Sequence, residues 1–393
     1  MTVLDEFVEA AIGSPNRAET FLTKHPEIAG SGLIAALLLG DASSVANLLA
    51  GAPELATAKC GPRDWEPLLY VCFSRRPGGK ADTARVLLRC GADPNAAWVN
   101  AGWPDSPLSC LYGATGLNNN PELARVLLDA GARPNDGESL YHSTEHADLA
   151  CVRLLLEYGA LPGPANALKH MLDREDIEGV RLLLAAGADP DERNPRGDAA
   201  LHWAVWRGRG AGMVAALLDA GADIDAARGD GRTAYALAVR SGQNETAALL
   251  ESRGANTDAA EVDLLLGQCS IADSGELARI LAGAPNPLPE ECHKLLPDFA
   301  GSHRTASVRA LLAAGVPVGT RGENGGTALH WACWKGYADL VQLLLDNGAS
   351  LVIRDTAFHA TPARWCEHGR ENCGEGGGDY AAVERLLGST IKI

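Results

Sequence analysis

The chain has 393 residues, 46% hydrophobic and 21% charged, a balance that allows a buried core and excludes a wholly disordered chain. Lys and Arg total 34 against 50 Asp and Glu. The net charge of −16 argues against nucleic acid, which needs a basic face, and suits either a basic partner or a solubility role. The longest apolar run, LIAALLL at Leu33–Leu39, is too short to cross a bilayer.

The first residues, MTVLDEFVEAAIG, are acidic early and have no basic segment, so no secretory leader is expected. Ten cysteines without a C-x-x-C pair read as reduced thiols, which places the chain in a cytoplasm. Residues 1–60 contain VLDEFVEAA, AETFLTKHPEI and LLAGAPEL and read as degenerate capping units. From 61 to 255 one phrase keeps returning: paired leucines, small residues, then Gly-Ala, as in LLRCGADPN, LLDAGARPN, LLLAAGADPD and LLDAGADID. Its glycines are Gly51, Gly91, Gly131, Gly159, Gly187, Gly221, Gly254, Gly283, Gly315, Gly348 and Gly388, spaced 28 to 40 residues apart. SRRPGGK, GATGLNNN and NCGEGGGD read as insertions, and the short units ending at Gly159 and Gly187 are expected to lack a full connecting finger. Between 256 and 307 the phrase is faint, and Pro285, Pro287, Pro289 and Pro297 predict a kink or altered stacking there.

Residues 308–393 hold the clearest unit. Ala328–Trp334 is expected to form a short helix stopped by Gly336, which accepts a left-handed cap. Ala338–Asp346 is expected to form a second helix, with Leu340, Val341, Leu344 and Leu345 on a stripe that must be buried. A short extended segment, Leu351–Asp355, leads onward, and Tyr380–Leu387 reads as a last, capping helix. One such pair cannot bury both faces, but stacked neighbours can, which predicts a solenoid of about eleven or twelve helix-turn-helix units.

The units TALHWACWKG with VQLLLDNGAS, DAALHWAVWRG with LLDAGADID, and GRTAYALAVRSGQ with LLESRGAN resemble the ankyrin repeat family, and ATPARWCEHG is a weaker match. The resemblance covers nearly the whole chain as a single array. It implies an all-α solenoid with short hairpin fingers, and a role in binding other proteins. It also implies that His202 and His330 brace turns, and that residues late in each first helix face a concave groove. Reading each unit this way gives a row of candidates: Tyr70 and Phe73; His142, Glu145 and His146; His170, Asp173 and Arg174; Trp203, Trp206 and Arg207; Arg240 and Ser241; Trp331, Trp334 and Lys335; Trp365 and His368. Trp and Arg dominate binding hot spots because each combines large area with a polar handle. Trp206 and Trp334 are expected to be exposed for binding, and Trp203 and Trp331 to pack between helices.

Tyr141–His146, YHSTEH, contains H-x-x-E-H, which on a helix sets two histidines one turn apart. No peptidase pattern accompanies it, so no metal and no cofactor are expected. The alternative to a scaffold is a small-molecule or acid/base site in the groove. There His142, Glu145, His170 and Asp173 would handle protons, and Arg174, Arg207 and Arg240 would hold an anion. Cys366, His368 and Cys373 match no zinc arrangement, and the glycines of GEGGGD lack the lysine of a phosphate loop. The finger residues Arg193, Asn194, Arg196, Arg228, Asp230, Arg232, Glu323 and Asn324 form a mixed-charge strip within reach of a partner. The expected function is a monomeric scaffold for a protein partner, more a binder than an enzyme.

Overall fold

The computed structural model describes residues 2–100, 103–163, 166–372 and 378–390. They form two compact units, 1–223 and 224–393. The fold is an all-α repeat: short helices come in consecutive pairs and pack pair against pair. No helix among the described residues is long and apolar enough to cross a membrane.

In the first unit the pairs include Pro67–Phe73 with Lys80–Arg89, Ala167–Asp173 with Ile177–Ala185, and Ala200–Trp206 with Ala211–Asp219. Side-chain caps set several starts: Asn120 accepts from the Leu123 N–H at 3.0 Å and Asp176 from Gly179 at 2.9 Å. The leucine-glycine phrase supplies the ends. Gly221, at φ +89°, takes the left-handed turn after Ala211–Asp219. Leu123, Leu127, Leu155, Leu183 and Leu217 are fully buried, each contributing roughly 2 kcal/mol. The loops also join neighbours in sequence: Asn95 donates to Gly131 O at 3.1 Å, and Asn135 to Gly159 O at 3.1 Å.

One element was not anticipated. Ala97–Asn100 and Trp103–Ser109 form an antiparallel hairpin, with Ala97 opposite Ser109 and Trp98 opposite Leu108. It lays Trp98 against Trp65 at 5.0 Å and against Phe73 at 5.9 Å.

In the second unit the stretch 256–307 is helical, with helices Glu261–Ile271, Ser274–Gly283, Glu290–His293 and Leu295–Gly301. Pro297 sits in the first turn of its helix, where a missing N–H is tolerated. Ala328–Lys335 ends at left-handed Gly336, and Ala338–Asp346 buries Leu340, Val341, Leu343 and Leu344. Leu345 is only half-buried, and 351–355 is a bent loop with no strand. Pro362–Asn372 and Tyr380–Thr390 close the chain; Cys373 and Gly374–Gly377 of the glycine-rich insertion lie outside the described residues.

Candidate functional site

The phrase A-L-H-W begins each of two tryptophan clusters, and its histidine fixes the local turn. His330 Nδ1 accepts from the Thr327 N–H at 3.1 Å, and its Nε2 meets Ala360 O at 3.2 Å. His202 Nδ1 accepts from the Ala199 N–H at 3.2 Å. Both rings are buried, and burial lowers the pKa of His330, so it stays neutral and structural.

In the first unit, helix Ala200–Trp206 holds Trp203 and Trp206 with ring centres 5.1 Å apart. Trp203 is half-buried and Trp206 is 45% exposed. The Trp203 indole donates to Asp173 Oδ1 at 2.9 Å, and Arg207 Nε pairs with the same oxygen at 2.8 Å. The Arg207 guanidinium lies 4.7 Å from the Trp206 ring and 5.1 Å from the Trp203 ring; Arg196 lies 5.6 and 5.8 Å from them. Beside this stack is a shallow hollow of about 340 Å³ lined by Tyr141, His170, Asp173, Arg196 and Trp203.

In the second unit a larger cleft, about 620 Å³, opens among Trp331, Trp334, Phe358, Trp365, Glu367, His368 and Glu371. Arg354 and Arg364 also line it. Trp365 is its hub. Its ring meets Trp331 at 5.1 Å and 81°, Trp334 at 5.8 Å and 72°, and Phe358 at 6.4 Å. Its indole donates to Asp355 Oδ2 at 2.9 Å. Burial raises the Asp355 carboxyl, but bonds from the Phe358 N–H, this indole and the Ala360 N–H outweigh it and hold the pKa at about 2. An ionised carboxylate thus anchors the indole edge of Trp365.

A family model described as Ankyrin repeats (3 copies) matches residues 167–261 and 272–355. Those two stretches carry ankyrin repeats. Among solved structures, an ankyrin repeat domain from Acinetobacter baumannii AYE is 28% identical, with a TM-score of 0.39; the match covers 45% of this chain and 93% of that one. No curated protein matches. Ankyrin repeats are in general scaffolds for protein–protein interaction.

Several sequence candidates are not surface residues. Tyr70 is fully buried, donating to Cys60 O at 2.8 Å, and Phe73 is 3% exposed. The hairpin 97–109 is the reason for Phe73: it covers the face that periodicity alone leaves open. Trp365 is 6% exposed and acts as a wall of the cleft more than as an open contact. Arg240 is committed to Asp263 at 2.5 Å and Glu291 at 2.9 Å, in an ionic cluster with Arg232. Lys335 is half-buried, and Ser241, Arg174 and His368 are exposed.

The acid/base set does not converge. Helix Ser139–Ser143 stops before His146, so H-x-x-E-H is not one helical face. His142 lies between Glu145 at 3.0 Å and Glu138 at 3.3 Å, while His146 Nε2 bonds Gly116 O at 2.7 Å. His170 bonds Thr144, and burial lowers its pKa. Asp173 is shared by Trp203 and Arg207. Only His170 and Asp173 of the four catalytic candidates line the hollow. Burial pushes the thiol of Cys151 to about 12 and those of Cys269 and Cys366 to about 11, so these are protonated packing residues, not nucleophiles. Phe358, Asp355 and Glu371 were missed. They lie outside the repeating phrase, and no spacing in the sequence marks them.

Proposed function

We propose that this ankyrin array is a binding module that seats a protein partner in the cleft of Trp331, Trp334 and Trp365, with the finger loops as secondary contacts. The supporting observation is the cleft itself: about 620 Å³, walled by three tryptophans and Phe358. Its size lies within the roughly 300–1,000 Å³ of ligand sites, and aromatic anchors of this kind carry most of the energy at interfaces. The net charge of −16 favours a basic partner through long-range steering. The acid/base alternative has less support, because each of its four residues is already engaged by a neighbour.

The test is affinity capture from the source cell with the chain and its Trp334→Ala variant, followed by crosslinking from a photoreactive residue at position 359, which also lines the cleft. A partner that crosslinks at the cleft and is lost by the variant supports the reading. Identical capture by both proteins, with crosslinks elsewhere, refutes it.

A further inference from the structure

The two copies of A-L-H-W-x-x-W differ in what covers their tryptophans. In the upstream copy the chain places its own guanidinium there: Arg207 lies 4.7 Å from Trp206 and 5.1 Å from Trp203, with Arg196 behind it. Asp173 receives Arg207 Nε at 2.8 Å, so a carboxylate backs the cation. Indole faces carry negative potential, and a planar guanidinium both stacks on them and forks onto a carboxylate. This is a complete cation site filled from within.

Counted from the shared histidine, Arg196, Arg207 and Asp173 correspond to Asn324, Lys335 and Gly301 in the downstream copy. Neither guanidinium is reproduced. The place of Asp173 is a glycine, whose added Cβ would already touch the Trp331 ring at 3.8 Å, so no carboxylate backs the ring from this position. In exchange the downstream copy gains two more rings, Trp365 and Phe358, and the carboxylates of Glu367 and Glu371.

We propose that the downstream cleft binds the guanidinium of an arginine presented by a basic protein segment, the external counterpart of Arg207. This rests on the reading of the cleft as the partner's seat, and names what the seat takes. Two arginines of the chain line the cleft, and both are engaged: Arg364 pairs with Glu367, and Arg354 donates to His359 O at 2.7 Å. Glu371 is exposed, with His368 4.0 Å away, and is the carboxylate placed to back the incoming cation.

The experiment is calorimetric titration of the full chain with a synthetic basic peptide bearing one arginine. Two twin peptides carry citrulline or lysine at that position. Citrulline keeps the shape and removes the charge. The arginine peptide should bind one to one, at least tenfold tighter than its citrulline twin and more tightly than the lysine twin. Trp334→Ala should abolish that preference. Arg196→Ala with Arg207→Ala should empty the upstream stack and raise the stoichiometry towards two. Equal binding of arginine and citrulline peptides to the unaltered chain overturns the proposal, as does no binding of either; neither result depends on a variant folding. A partner captured through Trp334 but indifferent to citrulline overturns only this inference. Capture indifferent to Trp334 overturns the proposed function with it.

Discussion

Replacing Trp365 with phenylalanine isolates one hydrogen bond at the hub of the cleft. The indole donates to Asp355 at 2.9 Å where Trp365 is 6% and Asp355 2% exposed. A hydrogen bond to a charged acceptor contributes roughly 1.5–3 kcal/mol. Asp355 keeps the N–H groups of Phe358 at 2.5 Å and Ala360 at 2.9 Å, so the lower end applies. Exchanging indole for phenyl removes apolar contact worth about 1 kcal/mol more. The expected loss is therefore about 2–3 kcal/mol, against about 3–5 kcal/mol for Trp365→Ala, which leaves a larger void. Repeat units open locally, so the assay is amide hydrogen exchange across 355–368. Protection there should fall by about 30- to 150-fold in the phenylalanine variant, at about 1.36 kcal/mol per tenfold. A change below about threefold would mean that backbone donors alone hold Asp355, and that the indole bond does not organise the cleft.

Three further outcomes follow from particular contacts. Asp355 is held near pKa 2, below its ordinary 3.8. Its stabilising contribution is complete above about pH 4 and is lost as pH falls towards 2. Unfolding followed by circular dichroism should thus show a shallower acid limb in Asp355→Asn; parallel limbs would contradict this. Asp263 is 1% exposed and accepts from Arg232 Nε at 3.0 Å and Arg240 Nη1 at 2.5 Å. Asp263→Ala leaves two part-buried guanidinium groups to the more exposed carboxylates of Glu291 and, for Arg232, Asp230, and should cost about 3 kcal/mol in urea unfolding, while a loss under about 1 kcal/mol would show that those carboxylates suffice. Gly267 packs so close to the preceding repeat that an added Cβ would lie 1.9 Å from Val239 O. Gly267→Ala should therefore destabilise by about 2 kcal/mol in thermal melts, despite the roughly 1 kcal/mol that alanine gains in helix propensity; a rise in Tm would refute the close approach.

The sequence determined the repeat, its helix pairs and the bracing histidines, because these depend on contacts a few residues apart: a glycine after paired leucines, a histidine three residues past a cap. It also pointed to both tryptophan pairs, since a nine-residue phrase repeated with Trp at the same spacing is visible in the string. It could not decide which faces stay open. Phe73 and Trp206 each end the first helix of their unit, yet one is sealed and the other is 45% exposed. Nor could it show that Arg207 stacks on tryptophan while Arg240 is drawn to Asp263 and Glu291. Periodicity fixes the direction of a side chain relative to its own helix. What meets it there comes from neighbouring helices, hairpins and loops that only the folded chain brings within a few ångströms.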